Sequence, residues 1–472
     1  MGTQRVVIGV DSSTQSTKAL AVDADTGEVL GQGRAAHTVT GTGGARESDP
    51  EQWWSAFVEA VAATGWAGRA EAVSVGGQQH GLVTLDANGA PVRPAMLWND
   101  TRSAAQAERL VAERGPRWWA ERVGSVPGAS FTASKWAWLR ENEPAAAAAT
   151  RRIRLPHDFL TERLTGQGTT DRGDASGTAW WTSDGYDAEI LDALGLSVRQ
   201  LPRVVEPGES AGTVRAGGPL REGTRVAPGT GDNMAAALGL GLTPGTPVLS
   251  LGTSGTVYAV TRGRPVDATG TVAGFADALG GWLPLACTLN CTLAVDRVAA
   301  LLGRGREDVE PGGTAVVLPY LDGERTPDLP YAAGLFHGIR HDTTPGHLLQ
   351  AAYDGAAYSL LAALDEVLRA GGEAAADGRP LLLIGGGAQG AAWQRTVLRL
   401  SGRPVQVPRA RELVALGAAA QAAALVTGEA PDEVARRWRT ADGPVLDPLP
   451  RDTEALERLD RTLRRAGALL AE

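Results

Sequence analysis

The sequence predicts an α/β chain made of two domains with related folds. Three observations lead there. At 472 residues the chain exceeds what one hydrophobic core ordinarily serves, so two domains are the natural expectation. A strand, a short loop of small and hydroxyl-bearing residues, and a returning strand occur near residue 10 and again near residue 252. Beyond residue 380, short apolar runs alternate with helical stripes, the pattern of parallel strands joined by right-handed crossovers.

In chain order, residues 6–10 (VVIGV) form a buried apolar run that meets Asp11. The polar loop DSSTQSTK follows, and a second strand starts at Lys18 and runs to residue 23. Asp25, Thr26 and Gly27 turn the chain into a third strand over 28–36. In SDPEQWW, Ser48 or Asp49 can cap a helix and Pro50 suits its first turn, with Trp53, Phe57 and Val61 at helical spacing. AEAVSVG is another buried strand, ending at Gly76-Gly77. Helices are expected over 102–113 and 133–141, and AAAAAT at 145–150 is compatible with helix. Residues 165–186, rich in Gly, Thr and Asp, read as loop and irregular structure.

From residue 248 the opening pattern returns: strand 248–251, a loop from Gly252 to Thr256, strand 257–260. Either copy alone reads equally well as an ordinary hairpin with a polar turn. Together they suggest two halves that each offer a loop to a shared cleft. A long apolar-striped helix over 347–370 stops at Gly371-Gly372. LLLIGGG is a short strand, AAWQRTVLRLSG a helix ending at Gly402, PVQVP a strand, and LVALGAAAQAAALVTG a helix of small residues. The pattern breaks at GLTPGTP, which sets domains of 1–243 and 244–472.

Composition narrows the function classes. Apolar residues make up 43% with no long polar tract, so the chain is globular. A net charge of −9 argues against nucleic-acid and membrane-surface partners, while a local loop can still hold a nucleotide. A homodimer is left open. Cys287 and Cys291 have no clustered ligands around them and read as small core residues. The apolar run at 6–10 is too short for a secretory core, and no stretch reaches the roughly 20 apolar residues of a membrane span, so a soluble cytoplasmic protein is expected. The basic residues are 43 arginines and two lysines, Lys18 and Lys135. Where Arg is the default, a Lys marks a position that wants a compact ammonium.

Five stretches carry chemistry. DSSTQSTK can bring backbone N–H groups and hydroxyls to an anion, with Lys18 adding positive charge. Asp11 suits Mg²⁺, which takes one or two carboxylates plus waters and phosphate oxygens. No GxxxxGK[ST] loop occurs. In PGTGDNMAAALGLGL, Asp232 and Asn233 stand where a helix begins; they read equally as a plain N-cap or as a carboxylate at the mouth of a cleft, poised as a base. GGQQHG (76–81) and LWND (97–100) supply the amides, carboxylate, imidazole and aromatic that bind sugars. IGGGAQG (384–390) ends a strand and opens a helix; its glycines permit close approach of a nucleotide, and a tight turn explains them as well.

These pieces, in this order, resemble the FGGY family of carbohydrate kinases over residues 5–425. SFTASKWAWLREN (130–142), with Lys135, is similar to that family's first signature, and GLFHGIRHDTTPGHLLQAAYD (334–354), with His347 and Asp354, to its second. DRGDASGT (171–178), LSLGTSG and PYLDGERTP (319–327) are similar to landmarks of the subgroup acting on D-xylulose. The resemblance implies two actin/hexokinase-like, ribonuclease H-like domains with a cleft between them. It implies transfer of phosphate from ATP, with Mg²⁺, to D-xylulose; ribulose, a pentitol, glycerol or gluconate are the alternative acceptors. By the same resemblance Asp232 is the base, and an ordinary carboxylate near pKa 3.9 needs no tuning for that role at neutral pH. Asp11 goes with Mg²⁺ and the γ-phosphate, Gln79, His80 and Asn233 with the sugar. Thr14 and Lys18 belong to the first phosphate loop, Gly252 and Thr253 to the second, Gly386 and Gly387 to the adenosine side. The sequence departs from the family in having Ser13 where Gly is common and Gln79-His80 where Met-His is commoner.

Overall fold

Two mixed β-sheets of seven strands organise the computed structural model, which describes residues 4–373 and 378–470. The first sheet contains β1 (Val6–Ser12), β2 (Ser16–Asp23), β3 (Val29–Ala36), β4 (Ala70–Gly77), β5 (Gly212–Thr213), β6 (Arg225–Val226) and β7 (Thr230–Gly231). Its order is β5-β6-β4-β1-β2-β3, with β7 also paired to β4. The continuous apolar run of β1 follows from its central place: Val6, Val7, Ile8 and Val10 are all buried.

The second sheet contains β8 (Pro247–Leu251), β9 (Gly255–Ala259), β10 (Ala273–Ala276), β11 (Trp282–Thr288), β12 (Leu381–Ile384), β13 (Val405–Gln406) and β14 (Val445–Leu446). Its order is β10-β11-β9-β8-β12-β13-β14. In each sheet three consecutive antiparallel strands (β1-β2-β3, β8-β9-β11) continue into strands parallel to the first (β4 and β6; β12 and β13). The repeated strand–loop–strand unit is thus the start of a repeated topology. The two readings of that unit also merge. Both copies are hairpins, and their polar turns, residues 13–15 and 252–254, are shorter than expected because the strands pair further into the polar stretch. Lys18 lies within β2, paired across from Asp11.

Helix Pro50–Ala63 starts where its signals put it. The Asp49 carboxylate accepts from Glu51 N at 3.0 Å, and Trp53, Phe57 and Val61 are buried. Residues 165–186 depart from the expected loop. Asp171 accepts from Gly173 N and Asp174 N, which nucleates helix Arg172–Ala175; a turn over Ser176–Thr178 and a two-stranded hairpin follow. Cys287 and Cys291 are free thiols, Cys291 in the core.

Helix Leu413–Thr427, from the second half of the chain, packs on the first sheet rather than the second. Its small residues permit this. A Cβ on Gly9 of β1 would lie 1.9 Å from Ala415 O, and one on Gly417 would lie 1.8 Å from Ala235 O of helix Asp232–Gly239, against which the same helix also packs. Among the described residues no single helix is long and apolar enough to cross a membrane.

Candidate active site

Sheet register brings the candidate residues of the first half together. Ser12 and Gly231 both pair with Gly77, so β1, β4 and β7 end side by side. The turn at 13–15, the Gln78–His80 segment and Asp232 therefore leave the sheet at one carboxyl edge, where open α/β sheets bind ligands. In the second sheet Ser250 pairs with Ile384, so the Gly252 turn and the Gly385–Gly387 turn also emerge as neighbours.

Asp11 is 4% exposed. Burial pushes its carboxyl up to about 6, against the downward pull of the Ser13 hydrogen bond and Lys18. Ser13 Oγ donates to Asp11 Oδ1 at 2.6 Å. Lys18 Nζ lies 3.9 Å from Asp11 Oδ2 and 2.6 Å from Glu412 Oε2, at the start of the helix that crosses from the second half. Thr14 Oγ1 accepts from Trp98 Nε1 at 3.2 Å. The LWND stretch thus braces the first turn through its indole N–H, and Asp100 is committed to Arg46 N and Arg102.

Asp232 is the first residue of helix Asp232–Gly239, and Gly231 occupies the cap position, so the plain N-cap reading does not apply. Asp232 Oδ1 accepts from Asn233 N at 2.8 Å and Asn233 Nδ2 at 2.9 Å, and Asn233 Nδ2 also donates to Gln79 Oε1 at 2.7 Å. Burial first, and the like charge of Asp11 second, push the Asp232 carboxyl up to about 7. That corrects the expectation of an ordinary carboxylate. Gln79 Nε2 and both amide atoms of Gln78 are buried without a hydrogen-bond partner.

His80 adopts the left-handed backbone region at φ 51°. It is held there by its N–H donating to Asp174 Oδ1 at 3.0 Å, with the ring Nδ1 3.3 Å from the same oxygen. Thr132 Oγ1 donates to the His80 carbonyl at 3.1 Å. The ring stacks on Phe131 at 5.7 Å and meets Phe275, from the second half, at 5.0 Å. Gly177 makes room for it: a Cβ there would stand 1.9 Å from His80 Nδ1. Burial lowers the pKa of the ring, opposed by Asp174.

Sequence reasoning missed Asp171 and Asp174 as individual residues and the fully buried His157 altogether. The polar-loop reading of 165–186 hid the first two. Lys135, fully buried, hydrogen-bonds Ala129 O at 3.2 Å and also Ser130 O. Burial pulls its ammonium down to about 7, against Asp100 and Asp174.

In the second half, Thr292 Oγ1 donates to Gly252 O at 2.8 Å, and Leu293 N to Thr253 O at 3.4 Å. Gly385 has φ 86°; Gly386 faces open space, whereas Gly387 packs on Leu251 and Thr292. His347 and Asp354 are structural: His347 N bonds the Thr344 cap at 3.1 Å, and Asp354 pairs with Arg399.

The FGGY carbohydrate-kinase N-terminal domain matches residues 6–239, and the C-terminal domain of the same family matches 248–426. The chain belongs to the FGGY family of carbohydrate kinases. As an FGGY kinase it takes ATP as phosphoryl donor and a sugar as acceptor. A xylulose kinase of Streptomyces rubiginosus is 69% identical over 471 residues, spanning 98% of this chain and 97% of its own. The crystal structure of xylulose kinase from Bifidobacterium adolescentis superposes with a TM-score of 0.84 at 36% identity, covering 97% of this chain and 99% of that one. The fold extends to gluconate kinase from Lactobacillus acidophilus, with a TM-score of 0.90 at 18% identity over 100% of this chain and 99% of that one. The expected two-domain α/β fold is thus that of FGGY kinases of known structure.

Proposed function

We propose that this FGGY kinase transfers the γ-phosphoryl group of ATP to D-xylulose, giving D-xylulose 5-phosphate and ADP. The observation that carries the reading is the Asp232–Asn233–Gln79 chain beside His80, in a protein this similar to a xylulose kinase throughout its length. The acceptor sugar lies against Gln79, His80 and Asn233; the unpartnered Gln79 Nε2 is a ready donor for one of its hydroxyls. As the hydroxyl oxygen bonds to the γ-phosphorus, the bond from that phosphorus to the β–γ bridging oxygen breaks, and Asp232 takes the hydroxyl proton. Such transfers depend on positioning and charge stabilisation more than on covalent chemistry.

Residues 1–243 form the acceptor and base domain, and 244–472 the nucleotide domain. Gly252 and Thr253 hold phosphates, together with Thr14 and Lys18 across the cleft. The open face at Gly386, with Gly387 packed behind it, takes the adenosine side. Asp11 fits Mg²⁺. Its carboxylate is buried beside a second carboxylate, and no cluster of three or more His, Cys, Asp or Glu among the described residues would cage a metal by itself. A cation that draws most of its shell from phosphate and water suits such a site. When bound, Mg²⁺ neutralises charge on the phosphates.

A coupled ADP-release assay over D-xylulose, D-ribulose, a pentitol, glycerol and gluconate tests the reading. D-xylulose is expected to give the highest kcat/KM; a higher value for any other acceptor overturns it.

A further inference from the structure

His157 has no part in the chemistry above, yet it sits in a concentrated buried charge cluster. It lies in the first turn of helix Pro156–Thr165 and is fully buried. Its Nε2 is 3.4 Å from Asp158 Oδ1, 3.5 Å from Asp171 Oδ1 and 3.5 Å from Asp174 Oδ2. Both ring nitrogens of His157, Asp158 Oδ1 and Asp174 Oδ2 are buried without a hydrogen bond, so ring and carboxylates meet through charge at these distances. A neutral imidazole cannot answer three carboxylates, and unanswered buried charge is costly. Burial works against charge on both sides: it opposes the carboxylates that push His157 up to about 9, and it pushes Asp158 up to about 7 against the pull of His157, which leaves Asp171 and Asp174 as the charges that the ring answers.

The carboxylates facing His157 do not end at the cluster. Asp174 gives its other oxygen to the His80 N–H, at 3.0 Å, and to the His80 ring. Asp171 gives its other oxygen to Thr230 Oγ1 at 2.6 Å, two residues before Asp232. Asp158 gives its own to Leu155 N at 2.8 Å, which fixes the start of the helix carrying His157. One ring nitrogen therefore stands behind both arms of the acceptor site.

We propose that His157 is a positioning residue: a buried imidazolium that, through Asp174 and Asp171, fixes at once the His80 ring and the strand that delivers Asp232. The inference rests on the acceptor reading given above. What matters is the positive charge and not the ring. His157→Gln removes the charge and His157→Lys keeps it, and kcat and KM for D-xylulose and for ATP are measured in both, alongside Tm. His157→Gln is expected to raise KM for D-xylulose about tenfold, equivalent to about 1.4 kcal/mol of lost positioning, with KM for ATP unchanged within about twofold. His157→Lys is expected to recover most of the lost sugar affinity. Equal losses in the two variants, a parallel rise in both KM values, or no change in His157→Gln each overturn the proposal.

Because His157→Gln can fail to fold, the wild-type protein gives an independent reading. Among its six histidines, labelled with ¹⁵N, one ring is expected to remain doubly protonated at about pH 8; six neutral rings overturn the proposal. Absence of xylulose turnover in the wild type sinks the acceptor reading and this inference together. Normal turnover with a neutral His157, or with no rescue by lysine, sinks this inference alone.

Discussion

The two lysines, among 43 arginines, stand beside candidate site residues, Lys18 at Asp11 and Lys135 near His80 and Asp174. Lys18 reaches Asp11 from within β2 and ties it to Glu412, and Lys135 hydrogen-bonds two backbone carbonyls in a space closed to solvent. A compact ammonium serves in both places where a planar fork would not. Gln79, proposed to meet the acceptor, holds Asn233 through its carbonyl at 2.7 Å and leaves its Nε2 buried without a partner. Gln79→Met should raise KM for D-xylulose by about two- to tenfold, the range of one or two hydrogen bonds, with little change for ATP. A variant with unaltered sugar KM would show that the amide is idle. The raised pKa of Asp232 gives a pH signature. A carboxylate accepts a proton only as the anion, so with Asp232 as the proposed base kcat/KM for D-xylulose should fall as pH drops through about 7 and level off above it. A flat profile between pH 5.5 and 8.5 would contradict this assignment. The type and position of Asp232 were legible in GTGDN. Its shifted proton affinity was not, because burial and the approach of Asp11 come from register between strands some 220 residues apart in the chain.

At the scale of elements, helix Leu413–Thr427 shows what composition can and cannot say. Its small residues announce close packing, but nothing local says against which sheet. The contact of Gly9 with Ala415 O answers that for the first sheet, and those of Gly239 and Gly417 set the same helix against helix Asp232–Gly239, each with no room for a Cβ. Gly417→Val should lower Tm by several degrees, since overpacking a site this tight costs about 1–3 kcal/mol or more. An unchanged Tm in a thermal melt would mean that the crossing helix is loosely held. Residues 165–186 failed in the opposite sense. Gly, Thr and Asp there signal irregular backbone, and the segment is irregular, but its aspartates turn inward to cap a short helix and to hold His80 and Thr230. Residue propensity reads the backbone; the inward direction comes only from His157 and the strands around it.

Across the whole molecule, two halves of one topology are joined by contacts between distant segments. The repeat was legible because the strand–turn–strand unit carries its own hydroxyls and glycines in both copies. The links between the halves were not, since they join distant segments: Lys18 to Glu412, His80 to Phe275, and Ser176 Oγ accepting from Ala276 N at 2.9 Å. The account makes one carboxylate at the mouth of helix Asp232–Gly239 the proton acceptor for the whole cleft. The most direct test is D-xylulose-dependent ADP release by Asp232→Asn against wild type, with Tm measured in parallel. A loss of about 10²–10⁴-fold in kcat, with Tm and sugar binding retained, is the expected result. A kcat close to that of the wild type would contradict the account.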